Sequence, residues 1–111
     1  MANTFKNAFS ANVNHAAYVD LYTVPSSTTT IVLGLTLCNK TASAVDVTVQ
    51  IQDTSDSNND FQVLDTVSIP ARTTLEVMAG QKYVLMQTDI LRVKSGTASA
   101  LDATLGIMEI T

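Results

Sequence analysis

The chain has one cysteine, one histidine, no tryptophan, two prolines and four glycines among 111 residues. Each scarcity excludes a class of chemistry. Cys38 has no second cysteine to pair with, and one Cys with one His falls short of a zinc ligand set. It follows Leu37 near the end of an apolar stretch, with no base or cationic cluster beside it, so it reads as a small, at least half-buried apolar residue. The glycines are scattered and form no phosphate-cradling loop. Without Trp, and with aromatics at 5%, a stacking platform for sugars is poorly supplied. Six Lys and Arg face ten Asp and Glu, for a net charge of −4, and no block of like charge exists. The clustered cations that neutralise phosphates are missing, so nucleic acid is not an expected partner. An apolar run of about 18 residues, the length that spans a bilayer as a helix, does not occur, so no membrane partner is expected. The first ten residues lack an apolar core of signal-peptide length, and the expectation is a chain that stays in the cytoplasm where it is made.

What is present is alternation. From Ser27 to Ile51, two apolar stretches flank a small polar turn, Asn39 to Ser43. In the second, Val45, Val47, Val49 and Ile51 alternate with Asp46, Thr48 and Gln50. A period of two sets these groups on opposite faces of a strand. Ile31, Leu33, Leu35 and Leu37 repeat the pattern in the first stretch, predicting an antiparallel pair with one face in a core. Gly34 within it points to a bulge or a close backbone approach.

The rest of the chain continues in this manner. Ala16–Val24, Phe61–Ile69, Thr73–Met78, Lys82–Gln87, Ile90–Lys94 and Leu101–Ile110 read as further strands, separated by turn residues. Pro25 and Pro70 close two of them, and the echo between 24–28 and 69–73 suggests one corner made twice. About eight strands at this spacing predict an all-β, antiparallel β-sandwich over residues 15–111, immunoglobulin-like or jelly-roll in topology. Residues 1–14 read as an extended N-terminal arm. Charge is 14%, below the roughly 25% usual in soluble domains, with Ser and Thr filling outward positions. Strand edges are normally defended by Lys, Pro or bulges, so this composition predicts edges covered by partners and a homo-oligomer.

No residue emerges as catalytic. His15 has no nucleophile in a suitable setting. The polar loop 53–60 has the oxygens of Asp53, Asp56 and Asp60 but lacks the central Gly and terminal Glu of a calcium-binding loop. It is expected to be solvated, and Asp56, Asn58 and Asn59 are candidate partner contacts. Met78, Met86 and Met108 sit among apolar strand residues and read as core filler. Phe5 and Phe9 are two aromatics on an otherwise polar arm; they suit docking against a partner or against the chain's own domain. No metal, cofactor or catalytic site is expected.

The stretches Leu21–Pro25, Thr28–Leu35 and Cys38–Thr41, followed by Ile69–Ala71, Glu76–Leu85, Asp89–Val93 and Leu101–Ile110, resemble small virion structural proteins of tailed bacteriophages, especially marine and cyanobacterial ones. The resemblance covers residues 18–110. It implies a β-sandwich in the virion, assembled in the host cytoplasm, with the major capsid protein or other virion proteins as partners. A capsid decoration or cement protein is the role expected first. A neck or tail component and a fibre-borne receptor- or glycan-binding module are the alternatives. The group has no catalytic residues to carry over.

Overall fold

A computed structural model describes residues 2–54, 59–78 and 81–111. Nine strands are described: β1 (Asn3–Ser10), β2 (Val19–Thr23), β3 (Thr29–Asn39), β4 (Val45–Asp53), β5 (Asn59–Ile69), β6 (Thr74–Glu76), β7 (Tyr83–Leu85), β8 (Ile90–Ser95) and β9 (Leu101–Ile110). They form two antiparallel sheets. One has the order β1-β9-β3-β6, with β7 also on β3; the other has β2-β8-β4-β5.

The pairing is nested. β4 pairs with β5, β3 with β6 and β7, β2 with β8, and β1 with β9. The pairs thus nest about β4 and β5 as in one long hairpin, wrapped so that they alternate between two sheets. That is jelly-roll topology, with β6 and β7 sharing the place of one strand. Of the two topologies left open by the sequence, this excludes the immunoglobulin-like order. The stretch 1–14 is largely the edge strand β1, extended in backbone and seated on its own domain.

Alternation places the core. Val45, Val47 and Val49 on β4, Leu91 and Val93 on β8, and Leu101, Ala103, Leu105 and Ile107 on β9 all point between the sheets. On β3 the simple alternation fails. The register shifts between Val32 and Gly34, so Val32, Leu35 and Leu37 are buried while Leu33 is 40% exposed. Ile31 and Leu33 therefore do not share the core face with Leu35 and Leu37. The cause is the one extra residue of a bulge, which reverses the parity of every position before it. Of the methionines, Met78 is buried, whereas Met86 is exposed and Met108 lies half-buried on an outward position.

Two corners are copies of each other. Ser27 and Arg72, each two residues after a proline, take positive φ values of 55° and 56°. Thr28 Oγ1 donates to Ser26 O at 3.1 Å, and Thr73 Oγ1 donates to Ala71 O at 3.0 Å. The second corner is tied down by Asn39, which is fully buried. Its Nδ2 donates to the carbonyls of Ser43, Ile69 and Pro70, at 2.8, 3.0 and 3.1 Å. Its Oδ1 accepts from Thr41 N at 2.9 Å and Thr41 Oγ1 at 2.8 Å.

Candidate protein-interaction face

The outward face of the five-stranded sheet is unlike the rest of the surface. Its residues are set by register from β9, whose inward side chains alternate with Asp102, Thr104, Gly106, Met108 and Ile110. Phe5 pairs with Met108, Met108 with Ile31, and Ile31 with Val84. These four apolar side chains form one row across β1, β9, β3 and β7, about 14 Å from first strand to last at the usual strand spacing. Phe5 is 71% exposed and Val84 60%. Large apolar groups gathered on a surface mark contact sites, whereas single ones are ordinary.

The neighbouring row has almost no side chains. Asn7, Gly106 and Gly34 lie abreast. A Cβ added at Gly34 would meet nothing within 4 Å, so this part of the face is open. The result is a groove of about 280 Å³ bordered by Phe5, Asn7 and Leu33. Beyond it Phe9, 69% exposed, pairs with Thr104, which pairs with Thr36. Phe5 and Phe9 thus share a face because four residues along a strand is two full periods.

The acids of this face lie at its margins. Glu76 pairs with Thr36 on the short β6, and Asp102 sits at the far end of β9, 3.0 Å from Lys40 Nζ. A backbone hydrogen bond donated by Asn12, and then Lys40, hold the Asp102 carboxyl below the usual carboxylate range. Lys6, between the two phenylalanines, borders the groove and is half exposed, with its ammonium reaching toward the inner side of the strand. Its Nζ lies 3.0 Å from Glu109 Oε1, and Glu109 is buried on β9. Glu109 Oε2 accepts from Tyr22 Oη at 2.5 Å, and Tyr22 Oη lies 2.8 Å from Thr30 Oγ1. This bridge joins β2 of one sheet to β9 and β3 of the other, and Lys6 caps it from the surface. Burial, then the hydrogen bond to Glu109, pushes the Tyr22 hydroxyl up to about 12. The same hydrogen bond, followed by Lys6, holds the Glu109 carboxyl below its ordinary value.

The outward face of the second sheet is the opposite in character. There the corresponding row is Asp20, Arg92, Gln50 and Gln62 across β2, β8, β4 and β5. Arg92 Nε donates to Asp20 Oδ1 at 2.9 Å, and Gln50 Nε2 donates to Gln62 Oε1 at 2.8 Å. Lys94, in the next row, lies 5.8 Å from the Tyr18 ring centre. This side is hydrogen-bonded within itself.

Among the described residues, no three His, Cys, Asp or Glu side chains gather to hold a metal. No buried side-chain nitrogen or oxygen among them lacks a hydrogen-bond partner.

Of the residues singled out in the sequence, Phe5 and Phe9 come together on the apolar face. Asn59 is exposed at the start of β5, opposite Asp53 on the other sheet, and is not part of that face. Asp56 and Asn58 lie outside the described residues. Sequence reasoning missed Ile31, Leu33, Val84 and Met108, which it assigned to inward strand positions or left without a role. The signal that could have found two of them was Gly34, the mark of a bulge that turns Ile31 and Leu33 outward.

No family model and no curated protein matches the chain. Solved structures do share its fold. One comes from the acid-stable capsid of Helicobacter pylori bacteriophage KHP30, with a TM-score of 0.58 at 12% identity over 100% of this chain and 94% of that one. Another comes from the disulfide-linked pili that are endospore appendages of Bacillus, with a TM-score of 0.53 at 12% identity over 96% of this chain and 85% of that one. A third is from the IBDV viral particle, with a TM-score of 0.53 at 8% identity; it covers 96% of this chain and 30% of that one. At these identities the likeness is one of fold.

Proposed function

We propose that this chain is a non-enzymatic virion structural protein of a phage, a decoration or cement subunit that binds the major capsid shell and acts in many copies. The observation that carries the reading is the uncharged row Phe5–Met108–Ile31–Val84 across one sheet face. Such a face is stable in water only at a cost, which contact with another protein removes. The fold likenesses point the same way: a phage capsid, a viral particle and a pilus are all built from repeated subunits. The capsid chain is matched nearly end to end, as befits a particle protein that is a single sandwich. A disulfide-linked fibre is a poorer fit, because one cysteine can join at most two copies. Each copy on a shell contributes modest area, and many copies act together.

Quantitative mass spectrometry of purified particles tests this. A ratio near one copy per major capsid subunit, or a third of that, is expected of a shell-covering protein. A ratio of a few per cent moves the chain to the neck or tail. Absence from particles refutes the virion reading.

A further inference from the structure

The uncharged face has a size, a shape and a charge pattern that fit one occupant. β9 is ten residues long. With four strands abreast, the face measures about 19 by 34 Å, or about 650 Å² in projection. Side chains corrugate it, so its accessible area approaches the roughly 800 Å² per partner of a standard specific interface. The face carries both a ridge and a trough. Phe5 and Phe9 project on either side of the row in which Gly106 and Gly34 leave a groove of about 280 Å³. A surface with both features can be complementary to itself under a two-fold rotation, the commonest symmetry of soluble oligomers.

Charge decides between partners. The chain carries −4, so most ways of bringing two copies together set like charges against each other. This face is the exception, since its acids Glu76 and Asp102 lie at the margins. Its nearest cations, Lys6 at the groove and Lys82 two residues before Val84, suit the net acidity of a second copy, and no carboxylate stands at its centre to repel one. The second sheet, with Asp20, Arg92 and Lys94 outward, is the face suited to charged partners.

We infer that the occupant is a second copy of this chain, packed sheet to sheet through the Phe5 row in an isologous dimer. The inference takes from the proposed function only that this face is a contact surface, and a dimer so formed leaves the second sheet, with Asp20, Arg92 and Lys94 outward, to meet a shell. Apolar sheets pack about 10 Å apart with interdigitating side chains, and here a phenylalanine of one copy fills the glycine groove of the other.

The test is molar mass by light scattering on the purified chain, from about 1 to 200 µM, the range in which interfaces of this size begin to form. The expected result is a rise from 11.8 kDa toward twice that value, little affected by salt. Phe5→Asp and Val84→Asp, at opposite ends of the row, should each keep the circular dichroism of the parent and stay monomeric. Lys94→Glu, on the other sheet, should dimerise as the parent does. A parent that stays monomeric at 200 µM overturns the inference and leaves the face to a different protein. So does a dimer that survives Phe5→Asp and Val84→Asp, or a trimer. The particle copy number is a separate measurement, so either reading can fail without the other.

Discussion

Replacing Asn39 should unfasten one end of the sandwich. The side chain is fully buried and makes five contacts within hydrogen-bond range: three donated by Nδ2 and two accepted by Oδ1. An amide has two N–H groups, so the three donated contacts hold two full bonds between them. Four effective bonds remain, each with a net contribution of about 1 kcal/mol. Asn39→Ala removes them and leaves the Ile69 carbonyl buried without this donor, so the expected loss is about 3–5 kcal/mol, a large share of a typical domain's 5–15. Asn39→Asp keeps the shape but replaces both N–H donors with an anionic oxygen facing three carbonyls. It should cost at least as much as Asn39→Ala. Equilibrium urea unfolding at neutral pH reads the effect as a fall in midpoint at unchanged m-value. Asn3→Ala, on an exposed position of the edge strand, serves as the control and should move stability by no more than about 0.5 kcal/mol. If Asn39→Ala costs less than 1 kcal/mol, or Asn39→Asp is tolerated better than Asn39→Ala, then Asn39 is not the tie between the 39–43 turn and the second proline corner.

Three further outcomes follow from the register and from the interior bridge. Val47→Asp, at a position 1% exposed, should cost several kcal/mol, whereas Thr48→Asp, one residue on and outward, should change urea stability by about 0.5 kcal/mol or less. Leu35→Ala should cost about 2–5 kcal/mol and Leu33→Ala under 1, since the bulge buries one and exposes the other; equal losses would place the register shift elsewhere. The Tyr22 proton is held more tightly in the folded state, so its contribution is complete below pH 10.0 and lost as pH rises toward about 12. The Glu109 carboxyl is depressed, so its contribution is complete above 4.5 and lost as pH falls below it. Tyr22→Phe should flatten both limbs of a stability-against-pH curve, and unchanged limbs would mean that the bridge does not set them.

Much of the fold was legible because strand parity is a local property. Val45, Val47 and Val49 announce an inner face with no knowledge of the partner strands, and β4 has that face. The repeated proline corner was legible for the same reason: Pro, two small or polar residues and Thr specify one turn wherever they occur, and Ser27 and Arg72 share the conformation. Two things were less legible. The nested strand order depends on long-range pairing, as between β1 and β9, which no local pattern encodes. The parity of β3 was misread because a bulge adds one residue, and a run such as Ile31–Val32–Leu33 is equally apolar in either parity.

The apolar outward face was hidden for a further reason. Hydrophobic periodicity separates inward from outward positions, but it treats an outward apolar residue as an error of register and not as a contact. Met108 was accordingly placed in the core, although its neighbours Ile107 and Glu109 are the buried ones. What distinguishes a solvated outer face from a covered one is the charge on outward positions. On β8 these include Arg92 and Lys94; on β9, from Thr104 to Ile110, none is charged. Because cross-strand neighbours share a face, one uncharged strand at the centre of a sheet implies little, but the same vacancy on β1, β9 and β3 together defines a patch. Asp102 apart, the charges of β1 and β9 obey the rule from the other side. Lys6 and Glu109 occupy inward parity and pair with each other, Glu109 buried and Lys6 half exposed at the groove, while Phe5 and Phe9 face outward. The interior bridge and the exposed aromatics are therefore two consequences of one register.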